Sequence, residues 1–377
     1  MKVAIISDIT PGNIGGVERF AGTFKQHLEK RNMTVDAYDR GSLKHWRDQW
    51  FDKYTVSARS NWCVGRAALN AISAQERQPD IIIHNSIAGW NLRGKTKIPR
   101  IVIHHGTIRG LYYIDLPGDL SLRTRFNRFV GLICFGGWLE QYIAHDAVSV
   151  AVSSSVAEEL RCYYSGIEPV IIPNGIDVAH FSRRNASACR RKYGLGEEDF
   201  VVCFTGRYGL LAKGFAELHS LALLAWQQQT PVKFLVATNH VPDGWPANVI
   251  FVKNVPYEEM PDIYSAANIF VFPTRYEGCS YSLLEAMACG LPILTSRVGY
   301  AKDLHQQVPE VAPYIFDVNS VELYWQQIKR FADDKEKTEI LGDVGARYIQ
   351  QHNSMESMVD SYVRLIKQLC GNSRCEV

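Results

Sequence analysis

Two glutamates eight residues apart, Glu277 and Glu285, flank a short run of small and polar residues. The pattern places Glu277 in a turn after a predicted strand and Glu285 in the first turns of a predicted helix. Backbone N–H groups between them can point at an anion, aided by the helix dipole. These groups belong to Gly278, Cys279, Ser280, Tyr281 and Ser282. A carboxylate beside them can accept hydrogen bonds from ribose or sugar hydroxyls. The alternative is that both glutamates are solvated helix-cap residues.

Two cations follow the predicted strand Val201–Thr205. Arg207 and Lys213 could neutralise a diphosphate, and an arginine can clamp phosphate oxygens in pairs. Gly206 and Gly214 beside them let the backbone approach a ligand closely. No Asp-x-Asp motif follows a predicted strand, so these cations would do for a leaving phosphate what a metal ion does elsewhere. A single surface charge of this kind is more often simply solvated.

The loop after the first predicted strand contains Gly15 and Gly16 in a Gly-x-x-Gly-Gly arrangement. A nicotinamide-binding fold requires Gly-x-Gly-x-x-Gly, so no nicotinamide cofactor is expected. A tight strand-to-helix turn explains the loop about as well as ligand binding does. His105 follows the predicted strand Ile101–His104, where a histidine is more often a packing residue than a catalytic one.

Length and charge limit the class of protein. The 377 residues predict two domains, and contents of 46% apolar and 21% charged residues indicate a soluble globular chain. Residues 1–170 hold 21 Lys/Arg against 16 Asp/Glu, a charge of +5, whereas the remainder holds 20 against 23, a charge of −3. This asymmetry is too small for dedicated nucleic-acid binding, so no nucleic-acid partner is expected.

Targeting and membrane signals are weak. Asp8 lies too early for a signal peptide, and the longest apolar run, Phe129–Leu139, has 11 residues where a membrane span needs about 20. The nine cysteines form no CxxC pair and no Cys/His cluster at metal spacing, which suits reduced thiols. These features predict a cytoplasmic protein that is at most peripheral to a membrane.

A basic and aromatic stretch in the first half leaves two interpretations open. Arg123, Arg125 and Arg128 lead into the apolar residues 129–135. Such a stretch could rest on a membrane that carries a lipid-linked acceptor. A buried core helix with a solvated basic start explains it equally well, so no membrane site is predicted.

Apolar segments of strand length alternate with amphipathic segments of helix length, which predicts parallel sheets covered on both faces. The first series comprises Val3–Ser7, Thr34–Tyr38, Ile81–His84, Ile101–His104 and Val148–Val152. The second comprises Val170–Ile172, Val201–Thr205, Lys233–Ala237, Val249–Val252, Ile269–Phe272 and Pro292–Thr295. The polar stretch Ser182–Ala188 is interpreted as a linker, and Ser354–Leu369 as an amphipathic helix. Ligands are expected at the carboxyl ends of the strands.

The segment from Glu277 to Gly290 resembles the Glu-x7-Glu signature of the retaining glycosyltransferases of the GT-B fold, family 4 (glycosyl transferases group 1). The residues 279–282 replace the usual Phe-Gly-Leu-Pro. The segment Gly206–Gly214 resembles the family's Gly-Arg-x4-Lys-Gly with one extra residue, and Gly15-Gly16 resembles its Gly-Gly-x-x-Arg loop. His105 matches the family histidine that lies near the donor hexose, whereas His104 does not.

Two further segments carry the resemblance. Residues 173–177, Pro-Asn-Gly-Ile-Asp, are similar to the family's interdomain segment. Residues 251–256 are similar to its base-binding loop, in which Val255 would present its backbone to the nucleobase. Lys253 and Asn254 replace the usual residues there, so the base is not predicted.

The resemblance implies an α/β protein of the GT-B fold, with two doubly wound Rossmann-like domains facing across a cleft. Residues 1–172 would form the acceptor-side domain, with a C-terminal helix at about 354–377 packing back on it. Residues 173–353 would bind the nucleotide sugar. His105 and Glu277 are the implied catalytic residues. The implied donor-binding residues are Gly15, Gly16, Arg207, Lys213, Val255, Gly278, Cys279, Ser280, Tyr281, Ser282 and Glu285.

The implied activity is retaining transfer of a hexose from a nucleotide-diphosphate sugar to a hydroxyl of a glycan or lipid-linked glycan. No metal and no other cofactor is expected, and the proposed partners are the donor, the acceptor and, peripherally, a membrane. The alternatives are a non-catalytic subunit that binds nucleotide sugar and another enzyme of the same fold, such as a nucleotide-sugar epimerase.

Overall fold

A computed structural model describes residues 1–8, 16–42, 57–114, 121–209, 211–317 and 320–372. The chain divides into two compact units. The first unit comprises Met1–Tyr113, Asp119–Pro173 and Met358–Val377, and the second comprises Ile114–Gly118 and Asn174–Ser357.

The first unit is built on a parallel six-stranded sheet in the order β2-β1-β3-β4-β5-β6. Its strands are β1 Lys2–Ile6, β2 Thr34–Tyr38, β3 Ile81–Asn85, β4 Arg100–His104, β5 Val148–Ala151 and β6 Val170–Ile171. The central strands β3 and β4 are buried along their whole length, as expected where helices cover both faces of a sheet. The α-helices described before Pro173 are α1 Gly16–Lys30, α2 Ser57–Ser73, α3 Leu122–Arg128, α4 Gly137–Ala144 and α5 Ser154–Tyr163.

The second unit contains another parallel six-stranded sheet, in the order β12-β11-β10-β7-β8-β9. Its strands are β7 Phe200–Thr205, β8 Val232–Thr238, β9 Val249–Lys253, β10 Ile269–Phe272, β11 Ile293–Ser296 and β12 Ile315–Phe316. The helices from here to the end of the described chain are α6 Ala186–Lys192, α7 Phe215–Gln227, α8 Met260–Ser265, α9 Tyr281–Ala288, α10 Tyr300–Gln307, α11 Val321–Asp333, α12 Lys335–His352 and α13 Met355–Asn372. The predicted doubly wound α/β architecture is confirmed.

The structure corrects three details of the sequence prediction. The strand β6, which opened the predicted second series, pairs with β5 and completes the first sheet. The polar stretch predicted as a linker ends in α6, because the Asn185 side chain accepts a hydrogen bond from Ala188 N at 2.9 Å and caps the helix. The two-residue strand β12 was not predicted, since so short a segment shows no periodicity.

The helix α13 packs its apolar side against the first unit. Tyr362 is fully buried, and its ring centroid lies 4.8 Å from that of Phe24. On the solvent side, Arg31 donates to Asp360 at 2.8 Å. A terminal helix held by buried aromatic contacts is tied down far more firmly than one held by surface charge alone.

The apolar stretch after Arg128 is not a buried core helix. It forms π-helical turns over Phe129–Gly136, between α3 and α4. Phe129 and Phe135 expose 43% and 50% of their surface, so the interpretation of this stretch as a buried core helix is wrong. In the described part of the chain, no helix combines the length and the apolarity needed to cross a bilayer.

Both sheets reverse the direction in which strands are added. In the first sheet β2 lies on one side of β1 and β3 on the other, and in the second sheet β8 and β10 flank β7 in the same way. The two outgoing loops diverge at such a switch point and leave a crevice at the carboxyl ends of the strands. The fold thus marks the ends of β1 and β3, and of β7 and β10, as ligand sites.

The loops after β7 and β10 are fastened to each other. The carbonyl oxygen of Ala212 accepts hydrogen bonds from Arg275 N at 2.7 Å and from Thr274 Oγ1 at 2.9 Å. Gly214 adopts a φ of +79°, and a Cβ there would lie 2.2 Å from the carbonyl oxygen of Pro273. Only a glycine allows the two loops to approach this closely.

Replacement of Gly214 by alanine should therefore cost more than its backbone conformation alone. Gly244 has the same φ of +79°, but no atom lies within 4 Å of the place that a Cβ would take, which makes Gly244→Ala the matched control. We expect Gly244→Ala to lower the free energy of unfolding by about 1–2 kcal/mol. Gly214→Ala should lower it by at least about 3 kcal/mol, because the methyl group must displace backbone. Urea unfolding compares the variants, and equal losses would contradict the close approach.

Candidate functional site

In the second unit the predicted phosphate-binding cation and the first predicted glutamate contact each other. Lys213 Nζ forms an ion pair with the Glu277 carboxylate at the edge where β7 and β10 end. Both side chains remain partly accessible, at 24% and 15%, and the ammonium group lies 5.6 Å from the ring centroid of Phe272. Thr274 Oγ1 lies 3.4 Å from the same carboxylate. A partly shielded pair of this kind can exchange partners when a charged ligand arrives.

The turn after Glu277 is held through its carbonyl groups. Gly278 O accepts a hydrogen bond from Tyr300 N at 2.8 Å, and Cys279 O accepts one from Asn174 Nδ2 at 2.8 Å. Ser280 is the N-cap of α9, whose first turn contains no acidic residue. The first N–H groups of a helix have no intrahelical acceptor and favour an anion. The geometry of the turn thus suits the predicted anion-binding role of residues 278–282.

A layer of polar residues supports this turn, and sequence reasoning missed most of it. Asn353 Nδ2 donates to Asn174 O at 3.1 Å, and Tyr300 Oη donates to Asn353 Oδ1 at 2.8 Å. Gly299 packs so closely that a Cβ would lie 2.4 Å from the carbonyl oxygens of Glu277 and Gly278. The segment around Asn174 was recognised only by family resemblance. No local pattern pointed to Gly299 or Asn353, which lie far along the chain.

Glu285 is buried, with 1% of its surface exposed. Tyr264 Oη donates to Glu285 Oε2 at 2.8 Å and lies 3.5 Å from Thr205 Oγ1 at the end of β7. Burial, and secondarily the Glu285 carboxylate, raise the pKa of Tyr264, so this phenol stays protonated and remains a donor. The carboxylate is therefore held in one orientation below the carboxyl end of the sheet.

Two other predicted donor residues, Arg207 and Val255, lie in loops of the same unit. Arg207 follows β7 and is exposed. Val255 follows β9, after Asn254, whose φ of +52° and N–H bond to Thr238 O at 2.9 Å turn the chain there. Because β7, β8 and β9 are parallel, the loops after β7 and β9 leave the sheet at the same end, with β8 between the two strands.

In the first unit, His105 follows β4 and contacts Asn85 at the end of β3, next to the switch point between β1 and β3. Its Nε2 lies 2.7 Å from Asn85 Oδ1, and Asn85 Nδ2 lies 3.1 Å from Ser7 Oγ. Asn85 presents its amide oxygen to the imidazole, and an amide oxygen only accepts, so His105 Nε2 is the donor of this hydrogen bond. Gly15 lies outside the described residues. Gly16 is the first residue of α1.

His105 is neutral at physiological pH. Burial, and secondarily the neighbouring His104, lower its pKa from 6.5 to about 4. With the proton on Nε2 committed to Asn85, the lone pair on Nδ1 is the acceptor that the ring can offer to a hydroxyl. The ring also packs edge-on against Phe20, with centroids 5.1 Å apart.

His104, which did not match the family pattern, serves the structure instead. Its Nδ1 lies 3.2 Å from Glu140 Oε1 and its Nε2 lies 3.3 Å from Ser149 Oγ, and both His104 and Glu140 are buried. Glu140 Oε2 accepts a hydrogen bond from Ile108 N at 2.7 Å, which fastens the loop that carries His105. Sequence reasoning missed Glu140 and Asn85, because each lies on an element distant from His105 in the chain.

Metal-binding side chains do not cluster in the described residues: no three His, Cys, Asp or Glu groups come together at a suitable distance. The predicted metal independence is not tested by this observation and stays a prediction.

Two histidines of the first unit, His84 and His105, have lowered pKa values and predict how stability depends on pH. Burial lowers the pKa of His84, like that of His105, from 6.5 to about 4. Between these values the unfolded chain binds protons that the folded chain does not, so stability present above pH 6.5 is lost as the pH falls towards 4. Each histidine should contribute up to about 1.4 kcal/mol per pH unit.

Urea unfolding at pH 7 and pH 5 measures this loss. His105→Gln should make the loss smaller, whereas His240→Gln, which replaces an exposed histidine, should leave it as in the wild type. A wild-type stability that is equal at the two pH values would contradict the buried neutral state.

The contact with Asn85 can be tested independently. Asn85→Asp places a carboxylate beside His105 Nε2, and we expect the pKa of His105 to rise at least one unit above about 4. Asn70→Asp, which adds the same charge on the exposed side of α2, is the control. NMR titration of the histidine ring signals, with His105→Gln to identify the resonance, gives the value. An unchanged pKa in Asn85→Asp would show that Asn85 does not hold the ring.

Comparison with known proteins places these features in a family. Residues 14–180 match the family described as Glycosyltransferase Family 4, and residues 199–334 match the one described as Glycosyl transferases group 1. The chain is 28% identical to the D-inositol 3-phosphate glycosyltransferase of Geodermatophilus obscurus over 76% of this chain and 71% of that protein.

A second relative is the phosphatidyl-myo-inositol mannosyltransferase of Propionibacterium freudenreichii, 29% identical over 50% of this chain. The chain spans about half of that relative's length, 48%. Among solved structures, sucrose-phosphate synthase from Thermosynechococcus elongatus superposes with a TM-score of 0.80 at 19% identity, covering 98% of this chain and 99% of that one. Together the matched regions and the fold show that the chain belongs to the glycosyltransferases of the GT-B fold, in family 4 and glycosyl transferases group 1.

Proposed function

We propose that the chain transfers a hexose, with retention of anomeric configuration and without a metal ion, from a nucleotide-diphosphate sugar to a hydroxyl of a glycan or lipid-linked glycan. One observation carries the proposal: Lys213 and Glu277 meet at the switch point between β7 and β10, beside the helix N-terminus of α9. These groups lie at the carboxyl ends of the two strands. The cation and the oriented amides match the diphosphate of a nucleotide sugar, and the carboxylate matches its hydroxyl groups.

The diphosphate of the donor carries two negative charges, and two cations are at hand to balance them. Lys213 would leave Glu277 for the diphosphate, and Arg207 would approach it from the same loop. The amides of residues 278–282 would supply further donors to the phosphate oxygens. The leaving nucleoside diphosphate gains negative charge in the transition state, so these groups stabilise it more than the ground state. This balance of charge supports metal independence.

The glutamates would recognise hydroxyl groups. Once Lys213 turns to the diphosphate, the Glu277 carboxylate is released to accept hydrogen bonds from the transferred sugar. Glu285, oriented by Tyr264, would accept them from the ribose. The backbone of Val255 would meet the nucleobase, in the loop after β9.

The first unit would contribute a neutral acceptor. His105 Nδ1 can accept a hydrogen bond from a hydroxyl of the donor hexose, because Nε2 is committed to Asn85. In the retaining step the bond between the anomeric carbon and the phosphate oxygen breaks as the new glycosidic bond forms on the same face. The proton of the acceptor hydroxyl passes to the departing phosphate, so His105 need not act as a base.

Two relatives bear on the acceptor and one feature bears on the location. The names of the relatives describe transfer by a phosphatidyl-myo-inositol mannosyltransferase and a D-inositol 3-phosphate glycosyltransferase. Both names concern hydroxyl-rich groups, one of them lipid-linked, which supports a glycan or lipid-linked acceptor. No disulfide joins the eight cysteines that lie in the described residues, which supports a cytoplasmic location.

The ion pair predicts a split between binding and turnover. Glu277→Gln should bind nucleoside diphosphate as tightly as the wild type or more tightly, because the diphosphate no longer competes with a carboxylate for Lys213. Its turnover should fall by about 10²–10³-fold. Lys213→Ala and Arg207→Ala should weaken nucleoside diphosphate binding, whereas Arg191→Ala, an exposed arginine of α6, should not.

Calorimetric titration with UDP, GDP, ADP and dTDP gives the affinities, and release of nucleoside diphosphate from the matching sugars gives the turnover. Activity that survives EDTA, and an NMR spectrum showing the donor configuration in the product, would support metal independence and retention. Binding of one nucleotide sugar without any turnover would favour a non-catalytic subunit. No binding of any donor would overturn the site.

A further inference from the structure

An unusual surface lies on the first unit. The chain from Leu122 to Ala144 runs through α3, the π-helical turns and α4 without a break. Large apolar side chains along this run are exposed rather than buried. They are Leu122, Phe126, Phe129, Val130, Phe135 and Trp138. We call these six residues the apolar stripe.

The π-helical turns keep the stripe on one side. Leu122, Phe126 and Val130 are spaced by four residues, which places them along one face of a helix. Phe135 follows Val130 by five residues, the repeat of a π-helical hydrogen bond. Trp138 then follows by three, and its ring stacks on that of Phe135 with centroids 6.5 Å apart. A regular α-helix would have rotated Phe135 away from the stripe.

The fold of the unit leaves these apolar side chains in contact with solvent. Leu122 is 84% exposed and Phe126 is 65% exposed, although the surrounding domain has a well-formed core. Contiguous exposure of this kind opposes folding unless something covers it, and on folded proteins it marks an interaction surface. The stripe is joined to the loop after β4, because the rings of Phe129 and Tyr112 meet at 6.0 Å.

The charged residues within 121–139, the part of the run that carries the stripe, are all of one sign. Arg123 and Arg125 lie on α3 and are exposed, and Arg128 donates to the carbonyl oxygen of Leu111 at 2.8 Å. Residues 121–139 contain no aspartate or glutamate. The segment therefore combines aromatic and aliphatic side chains with positive charge only.

Charge decides between two occupants of this surface. A second copy of the chain, related by a two-fold axis, would set the same patch against itself. Positive charge would then face positive charge, because residues 121–139 contain three arginines and no aspartate or glutamate. A bilayer of anionic lipids suits both features of the surface, since its phosphate groups attract arginine and its acyl boundary accepts aromatic and aliphatic side chains.

We propose that the apolar stripe and its arginines form a docking surface for an anionic lipid bilayer. The helix lies in the headgroup layer, with its apolar side chains in the acyl boundary and Arg123 and Arg125 at the level of the phosphates. Tryptophan and arginine suit this depth because each joins an apolar body to a polar end. The surface holds the transferase at a membrane, where a lipid-linked acceptor is presented. That last consequence rests on the proposed function, whereas the docking itself does not.

Vesicle co-sedimentation of the full chain tests the docking without donor or acceptor. Wild-type protein should bind vesicles of phosphatidylglycerol and phosphatidylcholine, bind vesicles of phosphatidylcholine alone at least tenfold more weakly, and lose affinity as salt rises. Arg123→Ala and Arg125→Ala should each weaken binding about fivefold. Leu122→Ser combined with Phe126→Ser should weaken it at least tenfold. Because all four side chains are exposed, the variants should keep the wild-type melting temperature.

Matched controls come from the second unit. Ile340 is 58% exposed on α12 and Arg191 is exposed on α6, so Ile340→Ser and Arg191→Ala should bind vesicles as the wild type does. Analytical ultracentrifugation distinguishes the other occupant. A dimer that dissociates in Leu122→Ser/Phe126→Ser, with no vesicle binding, would assign the stripe to self-association and overturn the proposal. Absence of vesicle binding from a monomer, or binding unaffected by the stripe variants, would overturn it as well.

Failure here is distinguishable from failure of the proposed function. Nucleoside diphosphate binding and slow donor hydrolysis involve none of the stripe residues, so both should persist in the stripe variants. A chain that docks on vesicles but binds no nucleotide sugar would keep the membrane proposal and remove the enzymatic one.

Discussion

The strand order of the second sheet is the constraint on which the donor side depends. The chain enters this sheet at its centre with β7, adds β8 and β9 on one side, and returns to add β10 on the other. This return places the loop that carries Lys213 against the loop that carries Glu277, although 64 residues separate them. Two opposite charges from distant parts of the sequence then neutralise each other at a partly exposed edge. The close approach of the loops requires a glycine at position 214 and a shared carbonyl at Ala212.

The ion pair between Lys213 and Glu277 keeps both side chains in position before a nucleotide sugar binds. Unpaired, the lysine would be solvated and mobile, and the carboxylate would repel a diphosphate. Paired, each is held near the place where its ligand would arrive, and one exchange of partners satisfies both. The turn behind them is stiffened by Asn174, Tyr300 and Asn353. Rigid support of this sort keeps oriented amides in place without reorganisation during the reaction.

The first unit uses the same kind of switch point for a different chemistry. There the groups that meet are neutral: Ser7 after β1, Asn85 at the end of β3, and His105 after β4. The hydrogen bond to the Asn85 amide oxygen sets the tautomer of the imidazole, and burial keeps it uncharged. Glu140 lies in the interior, where its carboxyl group holds the loop that carries His105. The exposed apolar stripe belongs to the same unit.

Hydrophobic periodicity and the turn-forming residues between apolar segments were enough to predict most of the fold. Eleven of the strands were predicted with boundaries that agree within about two residues, because strands buried on both faces read as short apolar runs. The doubly wound class followed from their alternation with helices. The short strand β12 and the π-helical turns at Phe129–Gly136 were not predictable, since two residues or one extra residue per turn leave no periodic signal. Exposure of the stripe was undecided for the same reason: an apolar run has the same composition whether it is buried or not.

The sequence also identified the chemical groups of the candidate site, because Glu277, Lys213 and His105 each lie in a motif that can be read along the chain. Their pairing and support, and the neutral state of His105, were decided by tertiary structure alone. Asn85 has no motif, yet it determines which nitrogen of His105 carries the proton. Tyr264 determines how Glu285 is oriented, and Gly299 how closely the supporting helix approaches. These properties depend on distances across strands that are remote in sequence, and a hydrogen bond or a shifted pKa exists only once folding has set those distances.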